Sequence, residues 1–539
     1  MTTPFPICGI HPVLDDPEIN LCFEDILAMS DETFDTVYAP RMIQVFLTHW
    51  NESGLPPRRG WTNAEIDDEF KQLAGLDVQR FWKTDELTGN RVIRNTQASL
   101  GNAVNAWNAG NMYRTRINYD EKDNGRSIYD FFSKPELFAR YLPYARRHFL
   151  RDSFYLFAES VLTGEALPHR PEIIPENAFE YLSEFGLHEL PYGDTELLIE
   201  PVLKEKSDSY TGYGAKLSEN KPLALSFADY QTAADPVVKL LRPLCSRNVY
   251  PKHLSDAYVF HIRKYTKQQR LFPALFRSFR ISMCQYAVNF PPTTAKLLYE
   301  TFLAHVTAPT VRVYDPSAGW AGRLVGAMSY NRQLPDGSMQ QLDYYATDPN
   351  PAFYTEDTSV YRVIADRFNS VRIGNSLFDT PHTSHVLKLG SEFWNTTTAY
   401  GAFEGRGDLV FTSPPYFNRE AYSEDEAQSY KRYSTYDRWR DEFLRPTLTH
   451  AYHWLNHERY LLWNIADLKV GKKYLPLEAD SRAIAASLGF VFKETIFMAL
   501  ASMPGGNRIA EDGTATSRNS CKVDGKILKH EPVHVFWKP

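Results

Sequence analysis

The chain has 539 residues, 43% of them hydrophobic and 23% charged, and 59 basic against 66 acidic residues leave a formal charge of −7. This is the make-up of a globular chain of two or more domains; it excludes a nucleic-acid binder that is basic in bulk, so any such surface has to be local. No apolar run is long enough to cross a bilayer, residues 1–8 lack the basic start and apolar core of a signal peptide, and the five cysteines are scattered with no C-x-x-C. These features fit a reducing cytoplasm and neither a zinc site nor a disulfide framework.

Residues 1–248 read as a mostly helical N-terminal domain that offers target recognition, and 249–539 as a second domain. Thr62-Asn63-Ala64-Glu65 ahead of Ile66 has the form of a helix start, and Pro135 suits a first helical turn. Residues 187–203 alternate apolar and polar groups around Pro191-Tyr192-Gly193-Asp194, as in a hairpin. Two basic clusters follow: Arg146, Arg147, His148 and Arg151, then an aromatic-interleaved segment with Arg263, Lys264, Lys267, Arg270, Arg277 and Arg280. One such cluster is more often a solvated helix face; in a chain that is acidic overall these are the candidates for phosphate contacts.

From Phe290 the pattern changes to strands alternating with helices. A helix at 295–305 leads to a strand at 310–314, which ends in Asp315-Pro316-Ser317-Ala318-Gly319-Trp320-Ala321-Gly322 ahead of a second helix. A strand at 343–347 ends in Asp348, and 371–376 read as a third strand ending in Asn375-Ser376. The fourth, Leu409-Val410-Phe411, is the kind of apolar run found in a parallel sheet covered on both faces, and Pro414-Pro415 stop it because neither can donate a ladder hydrogen bond. A helix at 439–456, strands at 459–464 and 490–497 around a helix at 479–488, and a last strand at 532–537 complete an α/β, Rossmann-like doubly wound sheet. The loop after the fourth strand presents Ser413, two rigid residues and the Tyr416 ring at a carboxyl edge, where open α/β sheets place their ligands. That set can hold a flat, amine-bearing ring.

Thr412-Ser413-Pro414-Pro415-Tyr416 resembles the catalytic tetrapeptide (Asp, Asn or Ser, then Pro-Pro and an aromatic) of class I DNA amino-methyltransferases, which use S-adenosyl-L-methionine (SAM). The resemblance covers about 290–539 and includes the order of the other motifs. It implies that Asp315, Pro316, Ala318, Gly319 and Gly322 lie under the cofactor, that Asp348 takes its ribose, that Asn375 and Ser376 sit near its adenine, and that Thr293 and Thr294 lie near its methionine carboxylate. The loop departs from the commoner Phe-x-Gly-x-Gly form in carrying Trp320. The resemblance further implies direct in-line transfer, with Ser413 and the Pro414 carbonyl holding the amine, Pro415 stiffening the turn, and Tyr416 stacking on a flipped-out base. Serine at the first position leans towards N4-cytosine over N6-adenine, and no Pro-Cys dipeptide supports a C5-cytosine enzyme. The implied partner is DNA. An RNA amino-methyltransferase, a non-catalytic nucleic-acid-binding subunit of the same fold, and transfer from a modified SAM are the alternatives. Recognition is then expected from the N-terminal half, from 504–522, or from the loop 418–440, where Tyr422, Lys431 and Arg432 suit a lid or nucleic-acid contact. No metal is expected; His450, His453 and His457 read as a surface row.

Overall fold

Short apolar runs closed by Pro and Gly turns assemble a ten-stranded sheet in the computed structural model, which describes residues 18–21, 25–26, 29–53, 61–117, 127–143, 146, 287–373, 381–470, 473–500 and 519–539. The hairpin expected at 187–203, the basic segment 253–280 with Arg263, Lys264, Lys267, Arg270, Arg277 and Arg280, and Asn375-Ser376 lie outside the described residues. Two units are distinguished, one within 60–129 and 286–539, the other within 10–59 and 130–285.

In chain order the strands are β1 (Trp82–Thr84), β2 (Arg91–Ile93), β3 (Arg116–Ile117), β4 (Thr310–Asp315), β5 (Gln341–Thr347), β6 (Thr383–Leu387), β7 (Gly407–Thr412), β8 (Glu420–Ala421), β9 (Leu455–Asn464), β10 (Leu468–Val470), β11 (Lys473–Leu475), β12 (Val491–Ala499), β13 (Ser520–Val523) and β14 (Lys526–Lys538). The helices that cover them are α1 (Asn63–Ala74), α2 (Asn105–Arg114), α3 (Pro292–Phe302), α4 (Gly322–Met328), α5 (Val360–Ile373), α6 (Arg445–Trp454) and α7 (Leu477–Leu488). The sheet runs β1-β2-β12-β14-β9-β7-β4-β5-β6, with β13 paired to β14. Strands β6, β5, β4, β7 and β9 are mutually parallel, and β14 lies antiparallel between β9 and β12. The chain winds outward from β4 through β5 and β6 on one side, then returns to lay β7 and β9 on the other. The switch point therefore falls between β4 and β7, and open α/β sheets place their ligands beyond the carboxyl ends at such a point.

Every residue of β7 is buried, which is why it lacks a polar face. Leu409 and Phe411 join a core with Leu297 and Tyr299 of α3, Leu324 of α4 and Ile364 of α5. Val410, on the opposite face, joins Trp394, Leu448 and Trp454 of α6 and Ile484 of α7. Burying each of these side chains contributes roughly 1.5–3 kcal/mol, so the strand that ends in the Pro-Pro turn is fixed from both sides.

Helix α1 begins as its sequence suggests: Thr62 Oγ1 accepts from the Glu65 N–H at 3.2 Å while Glu65 Oε2 accepts from the Thr62 N–H at 2.8 Å. Its buried face packs on α5, where Phe70 stacks on Phe368 at 4.2 Å and Arg367 bonds Asp67 at 2.7 Å. Strand β2 adds parallel to β12 through Val92↔Phe497 and Ile93↔Met498. Residues 61–117 thus belong to the unit that carries the sheet, although the sequence places them with a helical half. Their strands are three residues long or shorter and carry no alternation that a periodicity reading can detect.

The third strand is a correction. Val371, Arg372 and Ile373 are the end of α5, and the strand is β6, at Thr383–Leu387. Val360, Tyr361, Ile364, Ala365 and Phe368 recur at helical spacing on the buried face, and Arg372 extends the row, its Nη1 donating to the Met328 and Tyr330 carbonyls at 3.0 and 2.9 Å. Strand β6 stands at the sheet edge with no fully buried residue, so it has no apolar run to announce it. The histidine row is likewise divided: His450 is buried with Nδ1 3.2 Å from the Ser391 carbonyl, and His457 stands in β9.

In the second unit, Phe46 and Trp50 of the helix Ala39–Ser53 pack on Phe132, and Phe46 also meets Phe138. Residues 135–143 are helical, with Pro135 at the start as expected. Arg146 is not a surface phosphate contact: it is 5% exposed and its Nη1 bonds Asp31 at 2.6 Å.

Candidate active site

Three strand ends meet at the switch point. The first is the glycine loop after β4. Asp315, which closes β4, is wholly buried, and its carboxylate accepts from Arg323 Nε (2.8 Å), Tyr344 OH (2.6 Å), Thr412 Oγ1 (2.8 Å) and the Ser317 N–H (3.1 Å). These partners come from the loop, from α4, from β5 and from β7. With its lone pairs engaged, Asp315 holds the loop and the strand register together. Arg323 also donates to the Ser317 carbonyl, and the neighbouring carboxylate keeps its guanidinium charged against the effect of burial.

The loop itself needs unusual backbone. Gly319 has φ +56° and Ala321 φ +67°, a left-handed conformation costing a non-glycine residue about 1–2 kcal/mol. Compensation comes from a polar clamp: Asn289 Nδ2 and Asn108 Nδ2 each donate to the Trp320 carbonyl at 2.8 Å, and Asn289 Oδ1 accepts from the Gly322 N–H at 3.1 Å. A Cβ on Gly322 would lie 2.1 Å from the Phe290 carbonyl oxygen. Gly322→Ala is accordingly expected to disrupt the loop and lower the thermal midpoint by several degrees, measured by calorimetry, whereas alanine at Gly401, which has open space around it within a helix, does not lower the midpoint.

The second strand end carries Asp348. Its Oδ2 accepts from the Gly319 N–H and its Oδ1 from the Asn350 N–H, both at 2.9 Å, and Tyr361 OH donates to the Gly319 carbonyl at 2.7 Å. Burial pushes this carboxyl up to about 6, against the lowering effect of the two N–H donors. Pro316 and Ala318 are tied to the same strand: Thr347 Oγ1 donates to the Pro316 carbonyl at 2.7 Å, and the Ala318 N–H to the Thr347 carbonyl at 3.0 Å.

The third is the turn after β7. Tyr416 OH donates to the Asn464 carbonyl at 3.3 Å, which leaves Ser413 as the donor in its hydrogen bond with the Tyr416 oxygen. A hydroxyl that donates one hydrogen bond keeps two lone pairs with which to accept. Burial, with Glu531 nearby, holds the Tyr416 phenol well above its ordinary value, so it remains a neutral donor. Phe417 follows at φ +49°. The turn is therefore held in a conformation that the chain does not adopt freely.

The remaining predicted residues divide. Thr293 and Thr294 are fully buried, and Asn95 Nδ2 donates to both hydroxyls at 2.6 and 2.9 Å, so they anchor α3 rather than line an open surface. Tyr422 does not reach outward: its OH donates to Glu420 and its ring lies 5.6 Å from Trp320. Lys431 bonds Glu424 at 2.8 Å, and Arg432 bonds the buried Glu392 at 3.1 Å, so both charges are matched within the chain. Sequence reasoning missed Asn289, Asn108, Asn95 and Tyr361, single polar residues in no pattern, and the carboxyl Glu420 beside the turn. Among the described residues no group of three or more His, Cys, Asp or Glu is placed to hold a metal ion, and no helix is long and apolar enough to cross a membrane.

No family model matches the chain, and no curated protein matches it. Among solved structures it is similar to a Thermus thermophilus protein provisionally described as a DNA modification methylase and complexed with S-adenosyl-L-methionine (21% identity, 28% of this chain and 54% of that one, TM-score 0.19). It is also similar to a geranyl diphosphate methyltransferase in complex with SAM (10% identity, 46% and 86%, TM-score 0.25) and to a TehB-like SAM-dependent methyltransferase from Corynebacterium glutamicum (13% identity, 52% and 100%, TM-score 0.22). The chain spans about half the length of the Thermus protein.

Proposed function

We propose that this chain transfers a methyl group from SAM to an exocyclic amine of a DNA base, N4 of cytosine ahead of N6 of adenine. The observation that carries the reading is the convergence of the clamped glycine loop, Asp348 and Ser413–Tyr416 on one carboxyl edge at the sheet's switch point. The residues fit the cofactor. Gly319, with room where a Cβ would stand, permits close backbone approach, and the Asp348 carboxylate has lone pairs beyond the two taken by N–H groups with which to accept ribose hydroxyls. Bound SAM supplies an electrophilic sulfonium methyl.

The chain's own part is to prepare the amine. The nitrogen lone pair of an aminated base is delocalised into the ring and is a poor nucleophile. Ser413 Oγ, oriented by its bond to Tyr416, and the Pro414 carbonyl would accept the two amine hydrogens. That favours a tetrahedral nitrogen with its lone pair directed at the methyl. The Tyr416 ring provides the stacking face that compensates for taking the base out of its duplex, which costs a few kcal/mol.

Labelled SAM incubated with duplex DNA or with total RNA, followed by nucleoside mass spectrometry, tests this. Label in N4-methylcytosine or N6-methyladenine from DNA is the expected result. Label in RNA alone would replace the substrate, and SAM binding without transfer would favour a non-catalytic subunit. Asp348 adds a pH signature: SAM affinity should fall as pH drops through about 6, where its carboxyl protonates, and Asp348→Asn should weaken binding roughly tenfold and remove that dependence, read by calorimetric titration. In the free protein the sign is opposite. A carboxyl raised above its ordinary value stabilises the fold most below pH ~4, and this contribution is lost as pH rises through about 6.

A further inference from the structure

Two carboxyls that the mechanism above does not use stand beside the Ser413–Tyr416 turn. Glu531 is carried there by register. Strand β14 runs antiparallel to β9 with Val533 opposite Asn464, so the residues just before Val533 project past the carboxyl edge on which β9 ends. Glu531 itself faces Met498 of β12, and the Pro532 carbonyl accepts from Asn464 Nδ2 at 2.9 Å. The same Asn464 receives the Tyr416 hydroxyl at its backbone carbonyl, which ties Tyr416 and Pro532, the residue next to Glu531, to one side chain and its backbone. Glu420 is fixed by its pairing with Ile117 and by the Tyr422 hydroxyl.

The charged groups that act on Glu531 are Glu420 and Arg419, and Tyr416 feels both carboxyls. Burial, reinforced by Glu420, lifts Glu531 to about 7, so its acid form is well populated near neutrality. Asn464 Oδ1, buried on the same edge, also has no hydrogen-bond partner among the described residues. A polar ligand edge that meets these groups is chemically matched to them.

Resting on the proposed transfer to a base amine, we propose that Glu531 in its acid form donates a hydrogen bond to the unprotonated ring nitrogen beside that amine, and so selects cytosine or adenine. Cytosine N3 and adenine N1 are acceptors on the Watson–Crick edge, and guanine N1 carries a hydrogen. A neutral carboxyl suits the first two; a carboxylate suits guanine. Glu531 is thus a recognition group that couples base choice to protonation.

The test compares the full-length protein with Glu531→Gln and Glu531→Ala, measuring kcat/KM for methyl transfer to DNA from pH 6 to 9, with SAM binding measured separately. The wild-type kcat/KM should decline as pH rises through about 7. Glu531→Gln, whose amide keeps a donor that cannot ionise, should flatten that decline. Glu531→Ala should lose roughly ten- to hundredfold in kcat/KM at unchanged SAM affinity. Unaltered kcat/KM and pH profile in Glu531→Ala, or label entering guanine, would overturn the inference while leaving the methyltransferase reading intact. Independently of any turnover, the carbon-13 resonance of the Glu531 carboxyl, assigned by difference against Glu531→Gln, should titrate near neutrality. A carboxyl already fully ionised at pH 6 overturns the inference even if the proposed function itself has failed.

Discussion

Ser413→Ala and Tyr416→Ala should each lower methyl transfer at least a hundredfold while leaving SAM affinity within about threefold of the unaltered protein. The reason lies in the division of labour across the sheet edge: the cofactor's candidate partners follow β4 and β5, and the amine's follow β7. Removing a preorganised group that acts on developing charge costs about 10²–10³ in turnover. Tyr416→Ala removes a stacking face worth roughly 1–3 kcal/mol per base and also the oxygen that orients Ser413. Tyr416→Phe separates the two effects, keeping the face and losing the oxygen, and should fall between the unaltered protein and Tyr416→Ala. Single-turnover rates with labelled SAM, beside calorimetric SAM binding, make the comparison. Full activity in Tyr416→Ala would eliminate the stacking role, and lost SAM binding in Ser413→Ala would move the turn into the cofactor site.

The second large effect is on stability. Asp315→Ala should lower stability by about 3–5 kcal/mol, because it leaves the buried Arg323 guanidinium without its carboxylate. At roughly 2–4 °C per kcal/mol the thermal midpoint drops by about 10 °C. The double replacement Asp315→Leu with Arg323→Met should recover part of the loss, since it removes the charge left unpaired. Scanning calorimetry reads both. The result also decides what Asp315 is for. A variant that keeps its midpoint yet cannot bind SAM would make Asp315 a cofactor ligand, as the family resemblance implies, whereas a variant that melts early agrees with its four internal hydrogen-bond partners.

The sequence by itself determined the elements whose signal is local. The β7 run followed by Pro-Pro, the strand ends at Asp315 and Asp348, the α1 capping box and the alternation of strands with helices from Phe290 are all short-range patterns, and the structure has them where the residues say. Composition and periodicity carry such information because side-chain burial and backbone capping act over a few residues. Only the tertiary structure decided the rest. Edge strand β6 has no apolar run, and β2 joins β12 across some 400 residues of chain, so neither leaves a local trace. Thr293, Thr294, Tyr422, Lys431 and Arg432 had the right chemistry for contacts outward, and folding gave them partners inside the chain. The asparagine clamp on Trp320 and the placement of Glu531 beside Tyr416 depend on sheet order and on antiparallel register, which arise from pairings between residues far apart in sequence.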